Sequence, residues 1–131
     1  MSKKLKQHHI IIGNNIRTLR EYFGMSMDEL AELLGLSTAF IGLVERGNRG
    51  IKLENMLRIA DIFGATMNDL VQESSVQDIS KELTESEIYI SRITIWLNQL
   101  SEKELSFVMN VVKDIPLLRE DNNYANINQE L

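Results

Sequence analysis

The chain of 131 residues has no cysteine, a single proline, 6% aromatic residues and no excess of positive charge. Without cysteine it can form neither a disulfide nor a thiolate zinc site, and a reducing compartment is expected. No apolar run approaches the ~18 residues of a membrane span, so no membrane association is expected. The N-terminus, MSKKLKQHHIII, places basic residues before three isoleucines. It lacks a long apolar region and a small-residue cleavage site, so it does not read as a signal peptide and the protein is expected in the cytoplasm. The signatures of catalysis are missing too: there is no thiol nucleophile, no phosphate-cradling glycine loop and no locally supported Ser/His/Asp arrangement. His8 and His9 adjoin in sequence and cannot share a helix face as an i, i+4 metal pair would. They are assigned to a frayed N-terminus. The chain is therefore not expected to be an enzyme, nor to hold a metal or a cofactor.

What is present is helical punctuation. In SMDELAELLGLSTAFIGLVERG, residues 26–47, Ser26 and Glu29 have capping-box spacing, and Leu30, Leu33 and Leu34 follow on one helical face. Gly35 suits the left-handed residue that ends a helix. Ser37 then suits the N-cap of a second helix whose inward side carries Phe40, Ile41 and Val44. Two short helices joined by a tight turn make a helix-turn-helix, which offers its second helix to the DNA major groove.

The same reasoning organises the rest of the chain. Ile12, Ile16, Leu19 and Phe23 predict a first helix from near Ile10 to Phe23, closed by Gly24. Gly47-Asn48-Arg49-Gly50 reads as a turn. A fourth helix is expected over Leu53–Phe63 with Leu53, Met56, Leu57, Ala60 and Phe63 inward. Gly64 closes it, and Thr66 with Asp69 opens a short fifth helix through Val71. Residues 74–83 read as a polar connector. Thr84 with Glu87, and Ser101 with Glu104, repeat the capping box and predict a helical hairpin over residues 84–118. Its first helix carries Ile88, Ile93, Trp96, Leu97 and Leu100, and its second Leu105, Val108, Met109, Val112 and Ile115. Pro116 is expected to stop that second helix. The tail, residues 119–131, is rich in Asn and acid and is expected to be disordered.

Ten large apolar side chains do not offset the entropy of ordering some thirty residues, so the hairpin is not expected to stand alone. Its apolar residues Ile88, Ile93, Trp96, Leu97, Leu100, Leu105, Val108, Met109 and Val112 are assigned to dimerisation with a second copy. The alternative is that the hairpin folds back on its own N-terminal domain.

Residues 12–71 resemble the phage-repressor and Cro-like helix-turn-helix family, also called the xenobiotic-response-element family of prokaryotic regulators. The resemblance rests on IGNNIRTLRE, DELAELLGLS, IGLVERGNRG and LENMLRIADIFGATMNDLV in that order. It implies an all-α fold, a five-helix lambda-repressor-like DNA-binding domain at residues 9–73, here followed by the C-terminal helical hairpin. It also implies a double-stranded DNA operator as partner, read by helix 38–45. Carried over residue by residue, Thr38, Ala39, Gly42 and Leu43 face bases or adjacent backbone, and Ser37 caps the helix near phosphate. Arg17, and Asn48 or Arg49, hold the backbone, while Glu45 and Arg46 more often brace the domain.

The chain departs from the family at two places. Met27 stands where the family often has a phosphate-bridging Gln. The four base-facing positions offer one hydroxyl and no bidentate amide or guanidinium. Two accounts follow. In one, Thr38, Ala39 and Leu43 read thymine methyl groups, DNA shape adds specificity, and Gly42 admits close backbone approach. In the other, Met25, Met27, Ala39 and Leu43 form a protein-binding surface. The functional reading is a homodimeric repressor. The alternatives are an antitoxin of this fold, or an adaptor or antirepressor with a regulatory protein partner. The charge is divided: residues 1–73 carry nine basic and nine acidic side chains, so the net −5 lies in residues 74–131. Lys3, Lys4, Lys6, Arg17, Arg46, Arg49 and Lys52 are the candidates for a phosphate-facing surface.

Overall fold

The computed structural model describes residues 2–73 and 83–130, with side chains described as far as Arg119. Among the described residues there are seven helices and no strand: α1 Lys3–Tyr22, α2 Met27–Leu34, α3 Thr38–Glu45, α4 Leu53–Phe63, α5 Met67–Val71, α6 Glu85–Leu97 and α7 Glu102–Glu130. Local hydrogen bonds account for most of these starts and stops. The Ser26 hydroxyl accepts from the Glu29 N–H at 3.1 Å and the Ser26 N–H donates to the Glu29 carboxylate at 3.0 Å. Thr66 and Asp69 form the same reciprocal pair at the start of α5. Thr84 with Glu87 and Ser101 with Glu104 do so before α6 and α7. Each pair satisfies donors that have no partner inside the helix.

The chain divides into two compact units, Met1–Ile95 and Trp96–Leu131. In the first, α1 packs on α3 and α5, α2 on α3 and α4, and α4 on α5. The core is made by Ile16 and Leu19 of α1, Met25, Leu30 and Leu34 at α2, and Ile41 and Val44 of α3. Met56, Ile59 and Phe63 of α4, Leu70 of α5 and Ile95 of α6 complete it. Phe23 stacks on Phe63 with ring centroids 5.3 Å apart, joining the end of α1 to the end of α4.

One glycine is required by a close approach of backbone. A Cβ on Gly13 would lie 2.0 Å from the Val44 carbonyl oxygen, so α1 meets α3 without a side chain between them. Gly47 is required twice over, by φ of +74° and by Ile10, whose Cγ1 would stand 2.6 Å from an added Cβ.

Several expectations are corrected. α1 begins at Lys3, with Ser2 as its cap, so His8 and His9 lie within the helix and not in a frayed end. His9 lies against Gly50, where an added Cβ would stand 2.7 Å from its Nε2. In α4, Leu53 and Leu57 are 65% and 52% exposed, and Ile59, fully buried, takes the core position instead. Leu53 and Leu57 are one turn apart and share the outward side, whereas 56, 59, 60 and 63 form the inward one.

The C-terminal expectations shift most. The boundary between units falls between Ile95 and Trp96, inside the stretch expected to form one hairpin. Within the first unit, α6 presents Ile95 to the core, and Arg92 donates from Nε to the Tyr22 carbonyl at 2.9 Å at the end of α1. Ile93 is 54% exposed, so the inward phase is 88, 92, 95, with an arginine in the middle of it. That arginine is why an apolar-only pattern misses the face that α6 turns to the first unit. α7 then continues through Pro116 to Glu130, where a stop and a disordered tail were expected. Proline removes one i→i−4 bond, that to the Val112 carbonyl, at a cost of roughly 3 kcal/mol. Val112 lies on an exposed surface where water can serve its carbonyl. The polar connector expected over 74–83 lies almost wholly outside the described residues.

Candidate nucleic-acid interface

Three side chains of α1 and α4 that the sequence did not single out brace this unit, Arg20 by holding α3 and Asn15 and Arg58 by holding its neighbours. Arg20 of α1 forms a two-pronged pair with Glu45 at the end of α3, Nε to Oε2 at 2.8 Å and Nη2 to Oε1 at 2.9 Å. Its third arm donates to the Met25 carbonyl at 2.8 Å, which ties the entry of α2 to the same point. The hydrogen bond to Glu45 raises the Arg20 pKa, against the opposing effect of burial. Asn15, also buried, donates to the Leu70 and Gln72 carbonyls at 2.8 Å each, fixing α1 against the end of α5. Arg58 of α4 donates to the Leu33 and Leu34 carbonyls at the C-terminus of α2, where a cation is favoured.

This scaffold turns the opposite side of α3 outward. Ser37 caps it, accepting from the Phe40 N–H at 3.1 Å. Ala39 is exposed, Thr38 and Leu43 are half-buried, and Met27 at the start of α2 is 37% exposed. The Thr38 hydroxyl donates to the Asp28 carboxylate at 2.6 Å. Its only hydrogen is thereby committed, and toward a ligand it can act only as an acceptor beside its methyl group.

Gly42 is buried although it shares the face of Thr38. The Arg46 guanidinium lies over it, with Nη1 3.1 Å from where a Cβ would stand. Arg46 itself is exposed. Of the two residues that the family uses as braces, Glu45 takes that role here through Arg20, and Arg46 does not. Beyond the Gly47 turn, Asn48 is exposed and Arg49 lies over the Phe40 ring at 5.5 Å. The stacking gives Arg49 a fixed base at the edge of α3. Arg17 pairs with Glu21 at 3.0 Å on an exposed face of α1, so its charge is partly engaged within its own helix. Ser37, Thr38, Ala39, Gly42, Leu43 and Arg46 thus belong to one helix and its caps, with Met27, Asn48 and Arg49 contributed by the segments that flank it.

Among the described residues no group of three or more His, Asp or Glu side chains is placed to hold a metal ion. No helix among them is long and apolar enough to cross a membrane.

The profile of the helix-turn-helix family matches residues 16–70, the span from the middle of α1 to α5. The control protein C.SmaI of Serratia marcescens is 28% identical over 68 residues, 52% of this chain and 81% of that protein. The restriction-modification controller protein C.AhdI of Aeromonas hydrophila, of known crystal structure, is 35% identical. The match covers 47% of this chain and 94% of C.AhdI, with a TM-score of 0.45. An HTH-type transcriptional regulatory protein of Thermococcus kodakarensis is 27% identical over 103 residues, 79% of this chain but 30% of its own length. The chain belongs to the helix-turn-helix family of DNA-binding transcriptional regulators.

Proposed function

We propose that the protein is a homodimeric repressor that acts in the cytoplasm by placing α3 in the major groove of an operator. The observation that carries this reading is the outward face of α3, anchored through the buried Arg20–Glu45 pair and flanked by Arg46 and Arg49. Ser37 and the N–H groups it leaves at the start of α3 approach phosphate, and Asn48 and Arg49 hold the backbone. Met27, in place of an amide, makes apolar contact beside the groove. Toward the bases, the methyl groups of Thr38, Ala39 and Leu43 suit thymine, and the Thr38 oxygen suits an amino group of adenine or cytosine. Bound there, a dimer excludes polymerase without any further contact.

Dimerisation is assigned to the C-terminal helices. In α7, Leu105, Val112 and Ile115 are 38%, 54% and 46% exposed, and with Val108 they recur at coiled-coil spacing. Met109, Val111, Leu118 and Phe107 widen this stripe to roughly half of the helix circumference at ~100° per residue. A helix with so broad an apolar surface is covered in its working assembly. A second copy is the occupant proposed, since two-fold symmetry also sets two recognition helices one turn of DNA (~34 Å) apart. Of the other residues assigned to dimerisation from the sequence, Trp96, Leu97 and Leu100 stand in the same unit as α7, whereas Ile88 and Ile93 stand in the first unit, Ile88 on the inward phase of α6. The position of Phe107, 70% exposed and at the margin of the stripe, favours a second reading in which a regulatory protein also docks on α7.

The test is selection of genomic DNA fragments by the purified full chain, followed by affinity measurements across a salt series and by sedimentation. Enrichment of an inverted repeat, bound as a dimer with a steep salt slope, is the expected result. Weak binding indifferent to sequence, or a monomer at the concentrations that bind, would overturn the proposal.

A further inference from the structure

We propose that Arg46 supplies the base-reading side chain that Gly42 lacks, and that it presents its guanidinium to a guanine in the operator. The inference rests on the operator-binding reading above and deepens it. Residues 38, 42 and 46 follow one another at i, i+4 on the groove side of α3 and its C-cap. A side chain at a helix end leans toward the turn N-terminal to it, so Arg46 is directed over position 42. There it meets no Cβ. Its Nη1 lies 3.1 Å, and its Cζ and Nη2 each 3.7 Å, from the point where one would stand. The guanidinium therefore occupies the place of a residue-42 side chain, and it is why Gly42 is buried on an outward face.

The group is also uncommitted. Among the described residues the Arg46 side chain has no hydrogen bond or ion pair, and the adjacent Glu45 carboxylate is taken by Arg20. A free, planar fork on the groove face of a recognition helix matches the O6 and N7 acceptors of guanine, the bidentate pattern that Thr38, Ala39 and Leu43 cannot supply. Lysine would keep the charge but not the fork.

The test uses selection of sites from a randomised duplex library by the full chain, its Arg46→Lys variant and its Gly42→Ala variant. The wild type is expected to select one G·C pair per half-site whose replacement weakens binding about 5- to 150-fold. Arg46→Lys is expected to lose that preference while keeping its salt slope and its choices at other positions. Gly42→Ala, which displaces only the far end of a flexible side chain, is expected to lose the same preference without loss of thermal stability. Placing 7-deazaguanine at that pair removes the N7 acceptor and is expected to weaken the wild type but not Arg46→Lys. If wild type and variants prefer the same bases, or 7-deazaguanine affects them equally, Arg46 does not read guanine. If the wild type enriches no sequence at all, the operator reading fails first, and this inference with it.

Discussion

Replacing Gly13 with alanine tests whether α1 and α3 meet backbone to backbone. The new Cβ would stand 2.0 Å from the Val44 carbonyl oxygen and 3.0 Å from that of Glu45. An ordinary carbon–oxygen contact is ~3.3 Å, so the helices would have to separate by more than 1 Å. Neither side can yield by changing a rotamer, because the struck atoms are main chain. Separation would also stretch the Arg20–Glu45 pair, which bridges the same two helices. An overpacking cost of ~3 kcal/mol, less ~1 kcal/mol for alanine's better helix propensity, leaves a net loss of ~2 kcal/mol. For a unit of this size that lowers Tm by roughly 8–16 °C. Gly42→Ala is the internal control, since there the propensity gain meets only a movable guanidinium, and Tm should hold or rise by a few degrees. Circular dichroism at 222 nm through a thermal ramp reads both. A Gly13→Ala protein as stable as the wild type would refute the close approach of α1 and α3.

Arg20→Met leaves the Glu45 carboxylate, 4% exposed, without its partner, and is expected to cost roughly 3–5 kcal/mol in urea denaturation. Adding Glu45→Leu should recover much of that loss, and a double variant no better than the single one would contradict a buried ion pair. Asn15→Leu removes both donors to the Leu70 and Gln72 carbonyls and is expected to destabilise the first unit by roughly 1–3 kcal/mol. An unchanged midpoint would show that α5 does not depend on this bond. The Glu104 pKa is held below its ordinary 4.5, first by the Ser101 backbone N–H and then by the Ser101 hydroxyl. A depressed folded value means that this contribution to the start of α7 is complete above the unfolded pKa and is lost as pH falls through the folded one. A carboxyl-carbon NMR titration should therefore find Glu104 titrating below 4.5, and Ser101→Ala should move it upward. Titration at the ordinary value in the wild type would rule out the capping box as drawn.

How much of this was legible in the sequence follows from the reach of each interaction. Ser26 with Glu29, Thr66 with Asp69, Thr84 with Glu87 and Ser101 with Glu104 each close a hydrogen bond over three residues, and Gly35 and Gly64 end helices by their own backbone freedom. Such signals are local, so the helix order and the helix-turn-helix could be read directly, while the candidate groove-facing residues came only from the family resemblance. Arg20 and Glu45 are 25 residues apart, Asn15 and Leu70 are 55, and Arg92 and Tyr22 are 70. Nothing in a spacing pattern marks those partners. Gly13 looked like an ordinary helical residue, and Arg92 broke the apolar pattern that would have assigned α6 to its true face. Arg46 stood outside the four positions assigned to base contact because its reach over Gly42 depends on a side-chain direction and a missing Cβ.

The sequence by itself determined most helix starts and stops, though not the start of α1 or the end of α7, because capping and helical periodicity act within a turn or two of the chain. Tertiary structure decided which face each helix buries, that α6 joins the first unit, and which arginine stands free on the recognition helix. Those outcomes depend on groups brought together only once the chain has folded.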